Sequence, residues 1–150
     1  MSEKRERLGR AAFHVFRTVP TRWADNDAYG HVNNVVYYAW FDTAVNSWLV
    51  EGGFLDIVGS AVVGLVVETS SSYFESVAFP EAVEVGIGVE RLGNSSVTYR
   101  IGIFRQGAER AAAQGRFTHV YVDRATQRPV PIPADLRAAL EGLATPGEAA

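Results

Sequence analysis

Apolar positions along this chain change their spacing twice, and each change marks a new kind of element. Residues 13–18, "FHVFRT", alternate well enough for a first strand, which Pro20 closes. From 35 to 50 the apolar and small residues Val36, Ala39, Trp40, Ala44 and Trp48 recur at helical spacing. Small residues among the tryptophans (Ala39, Ala44, Ser47) suit a helix lying close on a broad surface, and Gly52 and Gly53 end it. After Asp56 the period becomes two. Residues 61–74 form one extended run. In the next, Val83, Val85, Ile87 and Val89 face one way, with Glu84, Gly86, Gly88 and Glu90 facing the other. "RLGNSS" reads as a turn, Val97, Tyr99, Ile101 and Ile103 as another strand, and residues 111–122 as the last. A short helix over 134–143 carries Leu136, Leu140 and Leu143 on one stripe.

The order is strand, long helix, then four strands. Strands joined by short turns pair antiparallel with their sequence neighbours. The expected fold class is therefore α+β, a five-stranded antiparallel sheet wrapped around one central helix. No "GxGxxG" or "GxxxxGK" run points to a nucleotide fold.

Composition narrows the picture. The chain has 150 residues, 47% hydrophobic and 21% charged, which fits one domain over 13–143 with flexible tails at 1–12 and 144–150. A net charge of -3 argues against nucleic-acid binding, which needs clustered Lys and Arg. Zero cysteines remove disulfides and thiol nucleophiles. No apolar run suits a signal peptide or a membrane span, so a cytoplasmic location is expected. His14, His31 and His119 are too scattered for a histidine metal site, and no metal is expected.

One stretch stands apart, the loop "DNDAYGHVNN" before the apolar helix. A carboxylate just ahead of a helix can attack or activate water, while the helix N-terminus receives developing negative charge. Asp25 and Asp27 also suit simple capping. "RWADNDAYGHVNNVVYYAWFDTA" resembles the entry motif of hotdog-fold thioesterases of the 4-hydroxybenzoyl-CoA thioesterase type, a "DxDxxG" run leading into a long helix. "HVNN" is similar to the plant acyl-ACP thioesterases, and "RLGNSSVTYRIGIF" and "FTHVYVD" resemble the family's later strands; the likeness spans 13–133.

The resemblance implies hydrolysis of an acyl-CoA thioester with no cofactor beyond the CoA of the substrate. It gives Asp27 the role of nucleophile or general base. The backbone N–H of Asn34 would polarise the carbonyl, and His31 would assist with water. Gly30 and Asn33 would approach the substrate, while Arg91, Asn94 and Ser95 would meet the nucleotide, with Arg124 and Arg128 as weaker substitutes. The family also implies a homodimer or homotetramer with each active site between two subunits. Asp25 is expected to be structural, His119 a core or interface residue, and Trp40 and Trp48 core. Two rivals stand beside this reading: a non-catalytic acyl-CoA binding module, and a hotdog hydratase or dehydratase that the loop fits poorly.

Overall fold

The computed structural model describes residues 6–144. Strand β1 (Val15–Pro20) leads through the loop into helix α1 (Asn34–Glu51), followed by β2 (Val62–Tyr73), β3 (Ala82–Leu92), β4 (Ser96–Arg105), β5 (Ala113–Asp123) and helix α2 (Ala134–Glu141). All pairings are antiparallel, in the order β1-β3-β4-β5-β2. The expected α+β arrangement is present.

Neighbour pairing needs one correction. β2 does not lie beside β3; it crosses the sheet and pairs with β5 from Val62↔Asp123 to Tyr73↔Ala113. The 74–81 connection is too long for a tight hairpin, so β2 is free to find the other edge. Between Val66 and Glu68 the register shifts, leaving Val67 bulged outward and 58% exposed.

The core forms where α1 lies on the sheet. Tyr37, Trp40, Phe41, Ala44, Val45 and Leu49 are the buried positions of the helix. Of the expected positions Trp40 and Ala44 are buried and Val36 and Trp48 pack half-buried against the core, Trp48 beside Phe54, while Ala39 is exposed. The helix is apolar on more than one side, with Val35 and Val50 also facing outward. Beneath it, a Cβ at Gly115 would collide with the Ser70 carbonyl and lie 2.8 Å from the Phe41 ring, so the absent side chain allows the close approach.

The tail expected over 1–12 is also corrected. Residues 1–5 and 145–150 lie outside the described residues, but residues 6–12 pack on the outer face of the sheet. Arg7 Nε donates to the Ala111 carbonyl (2.8 Å), and the Leu8 N–H donates to Gln114 Oε1 (2.8 Å). Leu8 and Ala12 join Phe13, Phe104 and Ala111 in a second apolar cluster. Gly86 and Gly102 make room for it, since a Cβ on either would meet the Phe13 ring below 3 Å. At the far end Leu143 is buried and its carbonyl accepts from the Val89 N–H (3.0 Å).

Candidate active site

The loop between β1 and α1 is built by its own polar residues. A 3-10 turn, Trp23–Asp25, buries Asp25, whose carboxylate accepts from the Arg22 backbone N–H (2.8 Å) and from the Arg22 guanidinium (2.7 and 3.0 Å). The Asp25 carbonyl takes the Asn33 N–H (2.9 Å), joining the two ends of the loop. Asp25 is thus a structural residue, as expected.

Between these ends Asn26 bridges to Val32, and the Asp27 N–H donates to the His31 carbonyl (2.9 Å). Gly30 sits at φ +82°, a conformation that disfavours a side chain, and donates to the Asp27 carbonyl (3.0 Å). Asp27 is half-buried. One of its oxygens, Oδ1, accepts from the Tyr29 N–H (2.9 Å), which fixes the carboxylate relative to the turn.

Asn33 is the N-cap, with Oδ1 accepting from the Val35 N–H (3.1 Å), and Asn34 is the first helical residue. The side chain of Asn33 is therefore engaged in the cap. The backbone N–H of Asn34 belongs to the helix start, where unpaired N–H groups and the dipole favour negative charge.

A cleft of about 310 Å³ opens beside this helix start. It brings together His31 and Asn34 with Tyr37, Tyr73 and Glu75, three residues not singled out from the sequence. Burial pushes the Tyr37 phenol up to about 12, so it stays protonated and able to donate. Glu75 is held below the usual carboxylate range by hydrogen bonds from Arg105 and Arg7, which keeps it ionised and occupied. Position gave the only available signal for these residues: Tyr37 is one turn beyond the cap, and Tyr73 ends β2, with its hydroxyl 3.5 Å from the Asn34 carbonyl.

Arg91, Asn94 and Ser95 are not part of this cleft. They lie at the β3–β4 turn, where Ser96 stands opposite Val120 and Val120 opposite Leu65. That is the Val62 end of β2, whereas the helix start adjoins its Tyr73 end. Within one chain the two groups occupy opposite ends of the sheet. Arg91 is exposed, and the Ser95 carbonyl accepts from the Tyr121 N–H (2.7 Å). Arg124 holds the 57–60 segment through the Ile57 (2.9 Å) and Ser60 (2.7 Å) carbonyls. Arg128 is exposed.

His119 is a core residue, 2% exposed, between Phe117 and Tyr121 on the helix side of β5. Burial pushes it down from 6.5 to about 4. The unfolded chain takes up this proton as pH falls through about 6.5, but the folded chain does so only near 4. Stability therefore falls across that window, by on the order of 3 kcal/mol in full. Urea midpoints at about pH 7 and about pH 4.5 should fall less for His119→Leu than for the wild type. Equal falls would remove His119 as a cause.

Among the described residues no group of three acidic, histidine or cysteine side chains is placed to hold a metal, and no helix is long and apolar enough to cross a membrane.

Comparison with known proteins places these features in context. The model of the Thioesterase-like superfamily matches residues 21–140. The crystal structure of the PA5185 protein from Pseudomonas aeruginosa is 54% identical, covers 94% of this chain and 99% of its own, and superposes with a TM-score of 0.91. The PA2801 protein of Pseudomonas aeruginosa is 29% identical, with 90% and 99% covered and a TM-score of 0.76. A DHNA-CoA thioesterase from Staphylococcus aureus shares the fold at 23% identity, covering 85% and 88%, with a TM-score of 0.75. No curated protein matches the chain.

Proposed function

The chain belongs to the thioesterase-like superfamily and has its hotdog fold, and from that premise we propose that it hydrolyses an acyl-CoA thioester to the free acid and CoA. The observation that carries the proposal is the half-buried Asp27 carboxylate, fixed by its turn in the loop that feeds the N-terminus of α1. As general base, Asp27 takes a proton from water while the water oxygen adds to the thioester carbon. The negative charge that develops on the carbonyl oxygen is received by the Asn34 N–H and the helix dipole. Collapse expels the CoA thiolate, which takes the proton back from Asp27. As nucleophile, Asp27 would instead add to the thioester carbon and break its C–S bond, expelling CoA as a thiolate that takes a proton from solvent; water then cleaves the acyl anhydride to the free acid and restores the Asp27 carboxylate. His31, exposed on the cleft that Asn34 lines, is assigned to position the water; Asp27 stands on the adjoining turn and not among the residues lining that cleft.

The working unit in this reading is a dimer formed along β2. That strand is a sheet edge carrying the exposed Leu65, Val66 and Val67. On α1 the exposed positions Val35, Ala39, Asp42 and Val50 form a second stripe that the sheet does not cover. Antiparallel pairing of two β2 strands sets the Val62 end of one beside the Tyr73 end of the other. Arg91, Asn94 and Ser95 of one subunit then approach the helix start of its partner, where they can meet the CoA nucleotide.

Thiol release from a panel of aromatic, short-chain and long-chain acyl-CoAs tests the activity. Turnover of at least one class is expected. Tight binding of one without turnover of any would favour the acyl-CoA binding module, for which a loop carboxylate at Asp27 has no use.

A further inference from the structure

A second cavity lies apart from the cleft at the helix start. It measures about 590 Å³ and lies between the second half of α1 and the Val62 end of β2. Leu49, Phe54, Leu55 and Val62 give it apolar walls, and Asn46 and Ser47 line the helix side. His119 and Tyr121 also line it. Both are buried, at 2% and 4% exposure, and the Nδ1 of His119 and the hydroxyl of Tyr121 have no hydrogen-bond partner. The Tyr99 hydroxyl behind them is also unpartnered; it influences the ionisation of Tyr121 without forming a well-made bond.

Buried polar groups are normally satisfied, and leaving one unpaired is costly. Two such groups on one cavity wall call for an occupant that bonds to them. Gly64 keeps the space open, because a Cβ there would lie 2.9 Å from His119 Nδ1 and 3.2 Å from the Tyr121 ring.

Size and charge limit what the occupant can be. A cavity of about 150 Å³ already holds benzene, so this one has room for far more than a single ring. The buried imidazole is neutral near pH 7, and the charged residues of the lining, Asp42, Glu51 and Arg124, are all exposed. A neutral hydroxyl or keto oxygen can satisfy His119 and Tyr121 together, while a carboxylate at that depth would meet a neutral imidazole and a phenol with no buried cation to pair with it.

The cavity also lies where a thioester would reach it. In one chain it begins at Asp42, about 12 Å along the helix from Asn34. In the β2 dimer, the partner's Val62 end stands beside the Tyr73 end that adjoins the helix start. An acyl group cleaved at one subunit then points into the cavity of the other.

We propose that this cavity is the acyl pocket, and that His119 and Tyr121 select an uncharged, medium-length acyl chain carrying a hydroxyl or keto oxygen at its distal end. The proposal rests on the thioesterase reading given above. Its test is kcat/KM for an ω-hydroxy medium-chain acyl-CoA against the unsubstituted acyl-CoA of equal length. The wild type should prefer the hydroxylated substrate by about tenfold or more, since an unsubstituted chain leaves the buried groups unpaired. Tyr121→Phe, which opens no cavity, and His119→Leu should bring the ratio toward one. A wild-type ratio at or below one, or a ratio unchanged in both variants, would overturn the proposal.

Turnover of another acyl-CoA class but of neither medium-chain substrate would also overturn it; if no acyl-CoA at all is hydrolysed, the thioesterase reading fails on its own, and the pocket is then read by calorimetry with the free ω-hydroxy acid. Binding that Tyr121→Phe weakens about tenfold sustains the pocket; no binding, or binding indifferent to Tyr121, overturns it.

Discussion

Asp27→Ala is expected to lower kcat by at least about 10²–10⁴-fold, the usual worth of general-base catalysis, with the fold intact. Without its carboxylate the loop can neither attack the thioester nor deprotonate water. The backbone of the loop should survive, because most of its bonds are independent of that side chain: Asn26 pairs with Val32, the Asp27 N–H with His31, and Asn33 with Asp25. Only the Tyr29 N–H loses its acceptor, at an exposed site where water can replace it. Asp27→Asn should behave alike, although deamidation would restore some Asp and leave a false residual rate. Asp25→Asn is the control. Its carboxylate is buried under Arg22, so its loss should lower thermal stability far more than kcat. Near-wild-type kcat in Asp27→Ala would make Asp27 a turn residue and end its catalytic assignment.

Val67→Lys is expected to leave the protein folded but monomeric, with little activity. Val67 lies outside the β2–β5 ladder and is 58% exposed, so its replacement disturbs no core packing within the chain. It sits near the middle of β2, where a two-fold axis between paired strands would pass. Each dimer would then hold two facing ammonium groups, and like charges set together in an interface cost several kcal/mol. Stable interfaces bury ~1,200–2,000 Å², which the β2 edge and the outward stripe of α1 can supply jointly. Light scattering and thiol release on the same sample read both consequences. A dimeric Val67→Lys would exclude the β2 edge as the interface, and a fully active monomer would exclude a site shared between subunits.

Much of this architecture was legible because it rests on local periodicity. Alternation from Val83 to Val89 and from Val97 to Ile103 marks strands wherever one face is buried, and the glycine pair after Glu51 marks the helix end. What periodicity could not convey was partnership. α1 is apolar on several sides, so its pattern did not distinguish the stripe of Tyr37, Phe41 and Val45 on the sheet from Val35 and Val50 outside it. β2 pairs with β5 some fifty residues later, a choice made by tertiary packing and invisible to a local window. The segment before Phe13 looked like a tail because charges dominate it, yet Gly86 and Gly102 on the outer face make a seat for Phe13.

The candidate site divides in the same way. Asp27, Gly30 and the helix start stood out because their residue types are bound to a turn followed by a helix. Tyr37, Tyr73 and Glu75 did not, because they meet only when β2 ends beside the start of α1. His119 read correctly as buried from its alternation, but the absence of a partner on Nδ1 is a three-dimensional fact.

The most direct measurement follows one intact acyl-CoA, chosen as the best wild-type substrate, through binding and thiol release on Asp27→Ala in parallel. The account predicts binding close to that of the wild type and thiol release lower by at least about 10²-fold. Thiol release at the wild-type rate from the correctly folded variant would contradict it.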